Sequence, residues 1–452
     1  MNPMSLDSPQ STSSHDASSG NEAWSLAQLH AVLRELQEED TLNAGDIAAV
    51  QNRIRQHLPV LDTGGALPHK KTPSSKTKVL HMHYTRGQRE QSADTEWAYL
   101  QFFAQAATQL GLHLEILTDQ TSQADLAREL TRAGDEGLNY TLLISPNPLS
   151  KWAEDSMEYL ANGHVAVLTP LDEDLLVWAM TKGRRHRWQG LSAEEFLDAA
   201  LQEDDQWIPL GVRVNTLKTG MERSHVTRAE GRQVGHLRAY IEGGNLITGE
   251  DATGRPMVLV GRDAIAATAH LYQLTDDTVR QVICEDFGLT HLEQVVGVDQ
   301  PGHFHLDMGL LFLGHGIVVV NDSQAALNDA IEMAEMVTCL TTKTMAAKLQ
   351  LQVALEAAAV KDLEAAGLEV RREKLENNVE YNFFNGEFVE GDDGYPYYLT
   401  NGGPTEAMDN IQSLMVDDWQ VVKNVIFSPS AIAQKSLQER GGLGCRLKGS
   451  TS

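Results

Sequence analysis

At 452 residues the chain can bury a large core, and length alone permits two or three domains. Its 42% hydrophobic and 22% charged residues are ordinary for a soluble globular enzyme, and no apolar run is long enough to span a bilayer. A formal charge of −27 excludes the basic surface that nucleic acid would need, and fits either a cationic substrate or simply a well-solvated acidic exterior.

Residues 1–22 hold Ser, Thr, Asp, Asn and Gly with almost nothing to bury, and read as a disordered tail. They carry neither a basic start nor an apolar h-region, which argues against a Sec signal. Cys284, Cys339 and Cys445 make no disulfide framework and do not have zinc-site spacing. A reducing, cytoplasmic setting is therefore the default, while the flexible Ser/Thr-rich start also suits export by a non-Sec route. In the helical segment 23–61, Trp24, Leu26, Leu29, Val32, Leu33 and Leu36 recur at helical spacing. Ile47, Val50, Ile54 and Leu58 do so again after a break at Asn43-Ala44-Gly45. Two amphipathic helices of this kind suit partner docking or self-association. Residues 62–77 are rich in Gly, Pro and Lys and read as a linker, so the catalytic body is expected over 78–452.

Within that body strands and helices alternate. A strand over 78–84 precedes a helix over 95–111, a strand over 112–117, a helix over 124–134 and a buried strand over 140–145. Further strands are expected at 165–170, 256–261, 292–298 and 315–321, and a long Ala/Leu-rich helical region from Ala325 to Gly367. Repeated β-α-β units give an α/β class without fixing how the sheets are arranged. Asn-Gly pairs at Asn162, Asn385 and Asn401 predict hairpin turns. No strict internal sequence repeat is visible.

Four short motifs can carry chemistry. In W-A-E-D, Asp155 follows a strand and a turn, a usual place for a site in α/β proteins; it also reads as an acid in the first turn of a helix. In E-G-G-N, Glu242 and Asn245 flank a glycine pair that permits close approach, or that makes a plain hairpin turn. In H-F-H-L-D, period two would put His303, His305 and Asp307 on one face of a strand, as metal ligands of a metallohydrolase or as structural histidines. Cys445, set among glycines near the chain end, is claimed by no apolar period, and Arg440, Arg446 and Lys448 offer it local positive charge. Cys284 and Cys339 lie in apolar runs and read as small buried hydrophobes. His81 and His83 read as a strand edge, and Arg184–Arg187 as a solvated loop.

Taken together, W-A-E-D, E-G-G-N, H-L-D and the late G-C resemble the guanidine-modifying enzyme superfamily of arginine, agmatine and peptidylarginine deiminases, dimethylarginine hydrolases and amidinotransferases. The resemblance covers the body from Lys78 onward and implies a pseudo-fivefold α/β propeller, the pentein fold, here with an N-terminal helical appendage. It implies that Cys445 attacks the guanidinium carbon and that His305 protonates the departing amine and then activates water. Asp155 and Asp307 would grip the guanidinium nitrogens, with Asn245 beside the substrate, and Glu242 would orient His305 or the substrate. No cofactor and no metal are implied. The expected activity is a deiminase-type hydrolase on the guanidino group of arginine or an arginine derivative, leaving a ureido product, with a slight lean to arginine in a peptide. An amidinotransferase would use the same cysteine and histidine. Two positions depart from the family pattern: Glu154 stands where an arginine is usual, and Gly444 where a histidine usually precedes the cysteine.

Overall fold

The first strand begins where the apolar alternation starts. β1 (Val79–Tyr84) is buried along its whole length and is followed by α1 (Glu90–Leu110), β2 (His113–Asp119), α2 (Gln123–Ala133) and β3 (Asn139–Ser145), the three strands running parallel. α1 lays Tyr99, Leu100, Phe103, Ala107 and Leu110 on Leu80, Met82, Leu114 and Ile116. Each Leu- or Phe-sized side chain so buried is worth roughly 1.5–3 kcal/mol. β3 was expected to be buried; it is the outer strand of its sheet, with Tyr140 and Ile144 exposed. These elements belong to a computed structural model that describes residues 65–86, 90–133, 137–168, 210–272, 274–301, 305–336, 340–377, 380–439 and 441–451.

The chain then repeats a single unit. β4 (Met157–Tyr159) and β5 (Val165–Leu168) are antiparallel, and α3 (Leu210–Ala229) leads to β6 (Val234–Leu237), parallel to β5. β7 (Leu246–Glu250) and β8 (Pro256–Gly261) form the next hairpin; α4 (Arg262–Tyr272) and α5 (Asp276–Phe287) bring β9 (Val295–Val298) parallel to β8. β10 (Leu310–Gly314) and β11 (Ile317–Asn321) follow, and α6 (Gln324–Met336) and α7 (Leu340–Ala365) lead to β12 (Glu369–Glu373). After a short pair, β13 (Glu376–Asn377) and β14 (Tyr381–Asn382), come β15 (Glu387–Glu390), β16 (Pro396–Thr400), α8 (Thr405–Ser413) and β17 (Asn424–Phe427). Finally α9 (Ser430–Gln438) returns the chain to β18 (Leu447–Ser450), antiparallel to β1. Each unit is a hairpin followed by a helical crossover to a parallel third strand, because a parallel pair cannot be joined by a tight turn. The sheet that holds β18, β1 and β2 follows the same plan, with the two ends of the described chain supplying its hairpin. The result is a mixed α/β fold of several small sheets, repetitive in topology although not in sequence.

Several expectations need correction. Among the Asn-Gly pairs, only Asn162-Gly163 joins two paired strands; Asn385-Gly386 passes between sheets, and Asn401-Gly402 leads from β16 toward α8. His81 and His83 are not at a strand edge, since β1 lies between β18 and β2 and both rings are buried. The stretch read as a linker is, from Gly65 on, tied to three sheets. The His69 N–H donates to the Tyr159 carbonyl (2.7 Å), that of Lys71 to Thr248 (3.1 Å) and that of Glu390 to Thr77 (2.9 Å). The helical region expected over 325–367 is two helices, α6 and α7. The tail and helical segment over 1–61, Arg184–Arg187, His303 and Cys339 lie outside the described residues. Among the described residues no helix is long and apolar enough to cross a membrane.

Candidate active site

Each of the four motifs folds as an irregular turn between units, and the backbone stitches these turns together. Lys151–Ser156 forms no helix, so Asp155 is not a helix-terminal acid. The Glu154 N–H donates to the Cys445 carbonyl (3.3 Å), and the Gly243 N–H to the Asp155 carbonyl (3.4 Å). Gly243–Asn245 is a 3₁₀ turn entering β7, not a hairpin turn. A Cβ on Gly244 would stand 2.5 Å from His305 Nδ1 and 2.8 Å from Asp307 Oδ1, so only glycine lets this backbone approach so closely. His305 is extended and runs into the 3₁₀ turn Leu306–Met308. The expected strand face is therefore absent; the turn, not period two, brings His305 and Asp307 together. Gly444–Arg446 is a further 3₁₀ turn, opening β18.

These turns gather Glu154, Asp155, Glu242, His305, Asp307 and Cys445, all buried. One ligand atom each of Glu154, Asp307 and Cys445 lies within 4.8 Å of the others. His305 Nε2 is 2.9 Å from Glu242 Oε2, whose other oxygen accepts from the Tyr240 hydroxyl (3.0 Å), and His305 Nδ1 is 3.7 Å from Asp155 Oδ1. Both ring nitrogens of the histidine thus face carboxylates. Asn245 is not brought to the cluster: its amide donates to Asp263 (2.8 Å) and accepts from Gln300 (3.3 Å), anchoring the turn to the start of α4.

Two asparagines read only as turn formers hold the cysteine in place. Asn385 Nδ2 donates to Asp307 Oδ2 (2.6 Å) and to Cys445 Sγ (3.3 Å), while its Oδ1 accepts the Cys445 N–H (3.2 Å). Asn401 accepts the Leu443 N–H (2.8 Å) and donates to the carbonyls of Asn382 (2.7 Å) and Asn385 (3.1 Å). A Cβ on Gly442 would meet both amides at 2.5 Å, which explains the glycine-rich loop before the cysteine. The available sequence signal was three asparagines in and after the aromatic run Y-N-F-F-N, since polar groups carried into a core need partners. Lys71, from the presumed linker, was also missed: its ammonium pairs with Glu154 and lies 3.9 Å from Asp307.

The charges set the resting protonation of the pair. Burial works against an imidazolium at His305, but the hydrogen bond to Glu242 and the charges of Asp155, Glu242 and Asp307 outweigh it and raise its pKa. Burial, then Asp307 and Asp155, push the Cys445 thiol well above its ordinary value, against smaller opposing effects of the Gly442 backbone and the Asn385 amide. Of the positive charge expected beside the thiol, Arg440 lies outside the described residues and Arg446 and Lys448 are directed elsewhere. Arg446 pairs with Glu96 (2.6 Å) between Tyr99 and Trp152, and Lys448 pairs with Glu158 (2.7 Å). Glu154, Asp307 and Cys445 are close enough to hold a metal ion, but the Lys71 ammonium already sits on Glu154.

No protein-family model matches the chain, and no curated protein matches its sequence. Among solved structures it is similar to a crystal structure provisionally assigned as an agmatine deiminase, with a TM-score of 0.56 and 12% identity over 87% of this chain and 98% of that one. At that identity the likeness is one of fold, and it covers nearly the whole of both chains.

Proposed function

We propose that this chain is a cysteine-dependent hydrolase of guanidino groups, built as a five-unit α/β propeller of the pentein type. The observation that carries the reading is the convergence of Cys445, Asp307 and Glu154 within 4.8 Å, with His305 set between Glu242 and Asp155. The fold likeness to a structure assigned as an agmatine deiminase supports it, as do five sheets of one plan. A guanidinium is too basic to lose its proton freely, so opposed carboxylates are what would bind it and fix its plane. The Oδ1 of Asp307 is buried with no hydrogen-bond partner among the described residues, and a guanidinium N–H would satisfy it.

In this mechanism Asp155 and Asp307 hold the cation. Its charge offsets the two carboxylates that hold the thiol proton, so Cys445 ionises in the complex. The thiolate forms a bond to the guanidinium carbon; the carbon–nitrogen bond breaks as the His305 imidazolium protonates the departing ammonia. The neutral imidazole then takes a proton from water, whose oxygen displaces sulfur to leave the ureido product and the free cysteine. Glu242 fixes the ring. Arginine in a peptide is the first substrate to try, followed by agmatine and free arginine. An amidinotransferase would replace water with an amine. A metallohydrolase on His303, His305 and Asp307 is the weaker reading, because both His305 nitrogens face carboxylates.

The test is ureido-product detection across an arginine-containing peptide, free arginine, agmatine and dimethylarginine, with iodoacetamide and a chelator as separate arms. Inactivation by iodoacetamide and survival in chelator are expected; the reverse pattern would establish the metal mechanism instead.

A further inference from the structure

We infer that Asn385 is a catalytic residue of this site: its amide, locked against the sulfur of Cys445, is a preorganised uncharged donor that holds the thiolate. The role rests on the cysteine nucleophile proposed above; the hydrogen bonds do not.

The direction of the amide follows from its partners. The Cys445 N–H can only donate, so the atom that faces it at 3.2 Å is Oδ1. Nδ2 then carries two hydrogens for two acceptors, Asp307 Oδ2 at 2.6 Å and Cys445 Sγ at 3.3 Å. The backbone is held as firmly. The Asn385 N–H donates to Asn382 Oδ1 (3.1 Å), and its carbonyl accepts from Asn401 Nδ2 (3.1 Å) and from the Gly444 N–H (3.4 Å). Asn385 has no exposed surface, so these groups face the site and not bulk water. Glycines in the cysteine loop make room for it: a Cβ on Gly442 would stand 2.5 Å from Oδ1, and one on Gly444 would stand 3.0 Å from Nδ2.

Such a donor tells the two states of the sulfur apart. A thiol is a weak acceptor and a thiolate a strong one, so the bond tightens as the proton leaves to solvent. It tightens again when water displaces the sulfur, which departs as thiolate. The amide gains and loses no atom or electron in either step, and its fixed direction spares any reorganisation. Burial, Asp307 and Asp155 oppose the anion, while the Gly442 backbone and Asn385 favour it. Glu154 lies within 4.8 Å, and the neighbours Trp152, Met308 and Leu437 are apolar.

The experiment reads the iodoacetamide alkylation rate of Cys445, by peptide mapping at one mildly alkaline pH, in wild type, N385L, N401A and the exchange N385D/D307N. Leucine fills the place of the amide and donates nothing. A role confined to holding the loop predicts faster alkylation in N385L and N401A alike, because a loosened loop exposes the thiol. The donor predicts opposite signs: N385L slower by about tenfold to a hundredfold, one to two units of thiol ionisation, and N401A as fast as wild type or faster. The exchange keeps net charge and shape but turns a carboxylate to the sulfur, so it too alkylates more slowly than wild type. N385L at or above the wild-type rate, N401A slowed as much as N385L, or a wild-type rate in the exchange overturns the inference. If N385L does not fold, judged by its thermal melt, the exchange against N401A carries the same test. Ureido formation by wild type with an unslowed N385L keeps the hydrolase and rejects the donor. A slowed N385L in a protein that forms no ureido product from any guanidine upholds the donor and rejects the hydrolase.

Discussion

Replacing Glu387 by Gln should stabilise the protein at alkaline pH and do almost nothing at acid pH. Glu387 opens β15 with only 2% of its surface exposed, and burial lifts its pKa from 4.5 to about 7, against the pull of Lys71 and Lys448. A carboxyl with a raised folded pKa binds its proton longer in the native state than in the unfolded chain. Stability therefore falls as pH rises from the unfolded value through the folded one. The displacement is about 2.5 units, and at about 1.36 kcal/mol per unit the full penalty above neutral pH is about 3 kcal/mol. Gln keeps an acceptor for the Gly449 N–H and cannot ionise, so it removes the penalty without emptying the site. Urea unfolding of both proteins should give midpoints that nearly coincide at about pH 4.5 and a variant more stable by about 2–3 kcal/mol at about pH 8.5. A gap that stays constant with pH, or a variant destabilised at the alkaline end, would refute the assignment of a buried carboxylate held near neutrality.

Other outcomes follow from the site. Cys445→Ala should abolish ureido formation while still binding the guanidine, and ammonia release at the wild-type rate would remove the nucleophile assignment. Asp307→Asn takes away a charge that holds the thiol proton, so Cys445 should alkylate faster at fixed pH while KM for the guanidine rises. Asn385→Ala loses a 2.6 Å bond to a buried carboxylate and should cost about 1.5–3 kcal/mol in urea unfolding, along with most of the turnover. The acid limb of kcat should sit at lower pH than that of kcat/KM, because the bound cation offsets Asp155 and Asp307; coincident limbs would deny that the substrate assists ionisation.

The alternation of apolar strands and amphipathic helices was enough to place most elements, because each strand and helix carries its own buried face, whichever unit it packs against. Val79–Tyr84 and Pro256–Gly261 are found within a residue of where the pattern put them. Topology was not legible: the repeat lies in hydrogen-bond direction between strands, which leaves no residue-by-residue trace. The acidic and histidine positions were visible as motifs, but their local backbone was misread. Close packing of four turns overrides the strand and hairpin preferences that Gly243-Gly244 and His305–Asp307 show in isolation. Asn385 and Asn401 looked like turn chemistry because an Asn-Gly pair gives no sign that the amide will be buried. Lys71 was hidden more thoroughly. A Gly/Pro/Lys-rich stretch has the composition of a spacer, and only the tertiary bonds to Tyr159 and Thr248 reveal that one of its lysines enters the site.

The placement of the cysteine and the lysine has a consequence for how the site assembles. Cys445 lies two residues before β18 and Lys71 eight residues before β1, and these two strands pair antiparallel to complete the sheet that joins the ends of the described chain. The acids and the histidine come from turns between the other units. A chain in which those units have formed but β18 has not docked would hold the carboxylates, and Lys71 through the backbone bonds of its segment to Tyr159 and Thr248, without the thiol. Docking of β18 brings the Cys445 carbonyl to the Glu154 N–H and both faces of the Asn385 amide to the Cys445 turn. Cys445 is thus positioned by the same contacts that close the fold, and burial with Asp307 and Asp155 favours its thiol form. On the mechanism proposed above, attack of Cys445 on a guanidine then requires both a closed chain and an occupied site.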